Sequence, residues 1–212
     1  MNIIVFGAAG QVGSRIVSEA VSRRHSVTAV VRRESQTTQF AQEVRTRLLD
    51  VRTGDIEDAV REHDFVISAL RAPNGEEDAI VELTQAVVNA ARSRSIPFLI
   101  VGGAAPLIVP DSGGDTVLTK PGFLPESVVP VARASQAQCD WCSSRLDPDG
   151  VVLCPPALLV PGQRTGTYRT AGGTLVVDEH GDSRISMEDF AVAALEEAEH
   201  RSHTGRLFTV GY

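Results

Sequence analysis

The stretch Asn2-Ile3-Ile4-Val5-Phe6-Gly7-Ala8-Ala9-Gly10-Gln11-Val12-Gly13 decides how the rest of the chain is read. Ile3 to Phe6 is apolar without a break, as in a strand buried on both faces. Three glycines follow at intervals of three, and Val12, Ile16, Val17 and Ala20 then recur at helical spacing between Gln11 and Arg24. A strand, a glycine turn and a helix in immediate succession open a parallel sheet, because the helix packs back over the strand and delivers the chain to a neighbouring one.

The alternation continues outward. Ser26 to Val31 reads as a second strand and Arg47 to Asp50 as a short third, followed by a helix through Ile56, Ala59 and Val60. Asp64 to Leu70 is a fourth strand, Asp78 to Arg94 a long helix, and Pro97 to Val101 a fifth strand. Residues 103 to 125 are rich in Gly and Pro and form a long loop, a kind of segment that often carries function. A helix over Val131 to Leu146 and a strand over Val151 to Cys154 come next. Pro155 to Gly173 is irregular. Thr174 to Val177 and Arg184 to Ile185 flank Asp178-Glu179-His180-Gly181 as a hairpin would. Ser186-Met187-Glu188-Asp189 reads as a capping box that opens a helix to about His200, and Leu207 to Val210 is the last strand. The pattern predicts an α/β fold: a doubly wound parallel sheet of the Rossmann type with a small C-terminal excursion on the substrate side, in a single domain over residues 1–212.

Composition narrows the function. The 212 residues carry a net charge of -7 and a pI near 5.2, a balance that argues against a nucleic-acid surface. No apolar run reaches the roughly eighteen residues of a membrane span, and no leader peptide is visible ahead of the first strand. Three cysteines (Cys139, Cys142 and Cys154) make no disulfide framework, so a cytoplasmic setting is expected.

The glycine turn has a chemical reading. Gly7 takes a turn conformation closed to other residues, Gly10 lets the backbone approach a pyrophosphate, and Gly13 allows helix and strand to pack closely. The backbone around Ala9, Gly10, Gln11 and Val12 then offers unpaired N–H groups and the positive end of a helix dipole to phosphates. The end of the second strand selects the cofactor. An NAD site places a carboxylate there, whereas this chain reads Val30-Val31-Arg32-Arg33, and the two guanidinium groups suit a 2′-phosphate. NADP(H) is therefore favoured over NAD(H), with Glu34 as the residue that serves NAD if the register differs.

Taken together, the residues resemble the atypical short-chain dehydrogenase/reductase group, specifically the small NAD(P)H-binding proteins related to NmrA and to flavin reductases. The resemblance spans nearly the whole chain. It is carried by the Gly7–Gly13 turn, Val30-Val31-Arg32, Leu49-Asp50-Val51, Val66-Ile67-Ser68-Ala69-Leu70, Val101-Gly102-Gly103-Ala104, Cys154-Pro155-Pro156-Ala157, Ser183-Arg184-Ile185-Ser186-Met187-Glu188-Asp189-Phe190-Ala191 and the ending Arg206 to Tyr212. It implies that Asp50 and Val51 flank the adenine, and that Ala69, Leu70 and Arg71 line the crevice beside the ribose and pyrophosphate. It also implies that Gly102 and Gly103 lie near the nicotinamide, and that Pro155, Pro156 and Ala157 position its carboxamide. For Asp50 a turn-capping role stays open.

One departure bears on mechanism. The group at large uses a serine and a Tyr-x-x-x-Lys pair to protonate a carbonyl oxygen as hydride arrives. Here the only lysine is Lys120, the tyrosines are Tyr168 and Tyr212, and Gly102-Gly103-Ala104 stands where the serine would be. Reduction of a simple ketone needs an acid at hand. Reduction of a flavin or quinone leaves a delocalised anion that solvent protonates, so positioning and desolvation suffice.

The remaining candidates are Tyr168, to stack or to donate a proton, and Arg164, to hold a substrate anion, both in Gln163 to Arg169. Lys120 is the second candidate catalytic residue, and with Phe123, a candidate substrate contact, and Leu124 it is expected to close over the same cleft; solvated loop chemistry is the alternative for all of these. Cys139-Asp140-Trp141-Cys142 has the spacing of a redox pair but sits within a helix, where Cys139, Cys142 and Leu146 form a packing stripe. No metal site is expected. The sequence thus predicts an NADPH-dependent reductase of a planar conjugated acceptor (flavin, quinone or enone), monomeric or homodimeric, with a non-catalytic NADP(H) sensor of the NmrA kind as the alternative.

Overall fold

The structure, a computed structural model, describes residues 1–145 and 149–212. β1 (Asn2–Phe6) leads through the glycine turn into α1 (Gln11–Ser22), then β2 (Ser26–Val31), β3 (Arg45–Leu48) and α2 (Ile56–Val60). β4 (Phe65–Ser68), α3 (Ala79–Ser93), β5 (Phe98–Val101), α4 (Val129–Ser143) and β6 (Gly150–Cys154) follow. Two short strands, β7 (Leu158–Val160) and β8 (Arg169–Ala171), precede β9 (Arg184–Ser186), α5 (Met187–His200) and β10 (Leu207–Gly211). One eight-stranded sheet has the order β3-β2-β1-β4-β5-β6-β10-β8, and within it only β8 runs antiparallel. The strand order reverses between β1 and β4, which places a crevice above those two strands at their carboxyl ends.

Residues alternate between two cores across the sheet. Ile3, Val5, Ile67, Leu99 and Leu153 face α1 and α5, where Ile16, Val17, Phe190 and Ala194 are buried. Ile4, Phe6, Val66, Phe98 and Val152 face the other way, toward Val60, Val87, Val88 and Cys139 of α2, α3 and α4. This is the doubly wound α/β fold the alternation predicts. No helix among the described residues is long and apolar enough to cross a membrane.

Three local readings need correction. The third strand lies two residues earlier than expected, at Arg45–Leu48, because Leu49 turns inward to the core and Asp50 begins a turn. The fourth helix starts at Val129, with Pro130 tolerated in its first turn, and ends at Ser143; Leu146 of the expected stripe lies outside the described residues. The hairpin does not form. Asp178 to Asp182 makes the turn, but its flanks take other partners: Leu175 N–H donates to the Ile108 carbonyl, and β9 pairs in parallel with β7 in a separate two-stranded sheet. That pairing buries Ile185 against the α1–α5 side, a gain the local turn cannot match. The excursion is therefore a β7–β9 ribbon. The long loop is equally anchored, with Leu107, Val109 and Val117 buried in the core on the α3 side.

Candidate active site

The glycines of the first turn have distinct reasons to be glycine. Gly7 has φ +73°, and a Cβ there would lie 2.4 Å from the Ala69 carbonyl oxygen. A Cβ on Gly13 would lie 2.2 Å from the Gly7 carbonyl oxygen. Both are backbone contacts that cannot yield, so strand, turn and helix are locked together. A Cβ on Gly10 would meet only the Gly7 oxygen, at 3.2 Å, and otherwise open space. Among the described residues no side chain caps α1, so the N–H groups of its first turn face that space uncovered. Ala9 is half-buried and Gln11 exposed on either side. An open space before uncapped helical N–H groups fits a pyrophosphate.

Beside the turn, the backbone N–H groups of Arg32 and Arg33 both donate to Oε1 of Gln36, at 3.2 and 3.1 Å. Their side chains are exposed, and among the described residues neither guanidinium has an ion-pair or hydrogen-bond partner. Asp50 Oδ1 accepts from the N–H of Arg52 at 2.9 Å, and the Asp50 carbonyl accepts from Thr53 and Gly54, so Asp50 organises a turn with an exposed carboxylate. Val51 is buried in the core on the α3 side. Ala69 N–H donates to the Phe6 carbonyl at 2.9 Å, which holds the end of β4 against the start of the turn; Leu70 packs on the core and Arg71 is exposed.

At the ends of β5 and β6, Gly102 N–H donates to the Leu153 carbonyl at 2.9 Å. A Cβ on Gly102 would press on Val152, Cys139 and Cys154, and one on Gly103 on Ser135 Oγ at 2.5 Å. Pro155 and Pro156 lead to Ala157, whose N–H donates to Ser183 Oγ at 3.4 Å. A cavity of about 370 Å³ opens here. Val109, Phe123, Leu158, Leu175 and Val177 wall it with Ala157, and Gly181, Asp182, Ser183 and Arg184 form its polar side. Phe123 and Ala157 thus share one cavity.

Tyr168, Arg164 and Lys120 are not among the residues that line it. Arg164 makes a two-pronged pair with Glu19 of α1, at 2.7 and 2.8 Å. The Tyr168 hydroxyl donates to Glu196 of α5, and burial together with that carboxylate pushes the phenol well above the usual tyrosine range. Both groups belong to a strap, residues 161–168, laid over the α1–α5 pair. The Gly162 N–H donates to Glu188, and the buried Asp189 carboxylate accepts from Thr165 N–H, Thr165 Oγ1, Gly166 N–H and the Tyr212 hydroxyl. Ser186 Oγ caps α5 by accepting from Asp189 N–H, the first half of the expected capping box; the reciprocal bond is replaced because Asp189 turns to the strap. Lys120 sits in a turn of the anchored loop, its N–H donating to the Thr116 carbonyl at 2.9 Å. Cys139 lies 3.9 Å from Cys154 rather than pairing with Cys142, whose thiol burial pushes up to about 12.

Sequence reasoning missed Val109, Leu158, Leu175, Val177 and Arg184 as cavity residues. They come from four separated segments, and only Arg184 stands in a quoted motif.

Comparison with known proteins agrees with this geometry. Residues 7–198 match the model of a family described as NAD(P)H-binding. Uncharacterized protein YwnB of Bacillus subtilis (strain 168) is 33% identical over 212 residues, covering 99% of this chain and 98% of its own. A provisionally named exported protein from Burkholderia pseudomallei is 35% identical, with TM-score 0.88 and full coverage of both chains. A protein from Streptococcus pneumoniae TIGR4, provisionally named an NADH-flavin reductase, is 28% identical with TM-score 0.89, covering 100% of this chain and 99% of its own.

Proposed function

The chain belongs to the NAD(P)H-binding family that its residues 7–198 match, and from that premise we propose that it is an NADPH-dependent reductase of a planar conjugated acceptor: a flavin, quinone or enone. The observation that carries this reading is the cavity beside Pro155–Ala157, whose lining includes five large apolar side chains. Such apolar side chains offer a surface against which a flat ring can stack.

When bound, a reduced nicotinamide supplies hydride. The chain's own residues would hold and orient it. Backbone N–H groups at Gln11, Val12 and Gly13 would take the pyrophosphate; Arg32 and Arg33, whose guanidinium groups have no partner among the described residues, would take the 2′-phosphate; and Asp50 with Ala69, Leu70 and Arg71 would border the adenosine half. Gly102, Gly103, Pro155, Pro156 and Ala157 would set the face of the nicotinamide toward the cavity, and Phe123 would lie against the acceptor. Tyr168 and Arg164 hold the strap rather than the substrate in this account, because their polar atoms are engaged by Glu196 and Glu19. Protonation of the reduced acceptor is left to solvent.

The name of the Streptococcus relative points to NADH, whereas the arginines support NADPH. NADPH and NADH oxidation, each followed with FMN, menadione and a panel of enones, tests the whole reading. Tight NADPH binding without hydride transfer to any acceptor would overturn it.

A further inference from the structure

Resting on that reductase reading, we propose that Arg184 is a specificity residue of the acceptor site, so that the preferred acceptors are planar rings bearing an anionic substituent. Arg184 is exposed at the start of β9 and lines the same cavity as Phe123 and Leu158. Its backbone is fixed: Arg184 pairs with Leu158 in the parallel register of β7 and β9, and its carbonyl accepts from the N–H of Tyr212 at 3.0 Å. A short, paired strand therefore holds a long cationic side chain beside Asp182 and Ser183 in the lining of a pocket that also carries six apolar residues.

The guanidinium is available. Among the described residues no carboxylate lies within ion-pair distance of it, in contrast to Arg15, Arg23, Arg47, Arg52 and Arg164, each of which has at least one. Two acidic residues stand nearby. Asp178 lies close enough for the Arg184 charge to help hold its carboxyl low, but its Oδ1 accepts from the N–H groups of His180 and Asp182 at 2.9 and 3.0 Å, and it forms no ion pair with Arg184 among the described residues. Asp182 lines the same side of the cavity and is exposed, so it opposes an anion and limits how many negative charges the site accepts. A cavity lined by both apolar side chains and an arginine sorts acceptors by ring and by charge, since guanidinium binds carboxylate or phosphate through paired, directed donors.

FMN and riboflavin share one ring system and differ in a terminal phosphate, so they read this charge directly. Quenching of flavin fluorescence, with NADP⁺ present, gives both affinities, and NADPH oxidation gives both turnovers. The parent protein should bind FMN about tenfold more tightly than riboflavin, the scale of one solvent-accessible charge-assisted contact. Arg184→Met should bring the ratio near one, Arg184→Lys should keep part of it, and Asp182→Asn should raise it. Equal affinities in the parent, weakening of both flavins alike in Arg184→Met, or binding of neither flavin would overturn the inference. Turnover of menadione by a parent protein that shows no FMN preference would overturn it while leaving the reductase reading standing. FMN binding that depends on Arg184 without any hydride transfer would do the reverse.

Discussion

Gly10 and Gly13 are three residues apart and look alike in the sequence, yet the structure gives them opposite tolerances. A side chain at Gly10 would press only on the Gly7 carbonyl oxygen, at 3.2 Å, and would otherwise fill the space before the uncapped end of α1. Gly10→Val should therefore leave circular dichroism unchanged and abolish dinucleotide binding in a fluorescence titration. A side chain at Gly13 would drive into the backbone of Gly7, so Gly13→Ala should lower unfolding stability by about 1–3 kcal/mol or more, the cost of overpacking a closed contact. Retained tight binding in a folded Gly10→Val protein would place the phosphates elsewhere. The cofactor preference is also decided at this scale. Arg32→Ala should remove about 1.5–3 kcal/mol of the preference for NADPH over NADH, as expected for losing charged hydrogen bonds to a phosphate. Calorimetry with both cofactors measures it, and equal dissociation constants in the parent would sink the claim.

At the scale of elements, the helices and parallel strands were legible because their signals are periodic and local. Asn2–Phe6, Ser26–Val31 and Ile56–Val60 match their sequence readings, and α5 runs to His200 as its capping signal implied. The strap was legible only as an irregular stretch. Nothing in Gln163 to Arg169 shows that its donors meet carboxylates on α1 and α5, since those partners lie about 25 residues later and 145 residues earlier. Its energetics are acid-sensitive. Asp189 sits below the usual carboxylate range because Thr165, Gly166 and Tyr212 donate to it in excess of its burial cost, and Glu19 is held low chiefly by its hydrogen bond from Arg164. A carboxylate depressed in the folded state stabilises the fold above its unfolded pKa of about 4 and loses that contribution as pH falls through the lower folded value. Urea midpoints should hold steady from about pH 7 to pH 5 and decline below about pH 4. Asp189→Asn should cost about 1.5–3 kcal/mol and flatten that decline, because several donors lose a charged acceptor at once; an unchanged acid limb in the variant would assign the decline to other carboxylates.

For the whole molecule, the question is whether chemistry needs a protein acid. The Tyr168 hydroxyl donates to Glu196, and Lys120 lies in a turn of the loop; neither residue lines the cavity. Tyr168→Phe and Lys120→Met should slow single-turnover hydride transfer by much less than the roughly 10²–10⁴-fold expected on losing a general acid. A thousandfold loss in Tyr168→Phe would make Tyr168 the acid and overturn solvent protonation. By itself the sequence determined the doubly wound sheet, the glycine turn at its switch point and the basic end of the second strand. Each of these is written in residues a few positions apart, where strand alternation, helical spacing and turn sterics act. Only the tertiary structure decided that β9 pairs with β7, that Arg164 and Tyr168 hold a strap, and that Val109, Phe123, Leu158, Leu175 and Arg184 share one cavity. Those outcomes come from burying Ile185 and from satisfying buried carboxylates with distant donors, and such long-range gains leave no periodic trace along the chain.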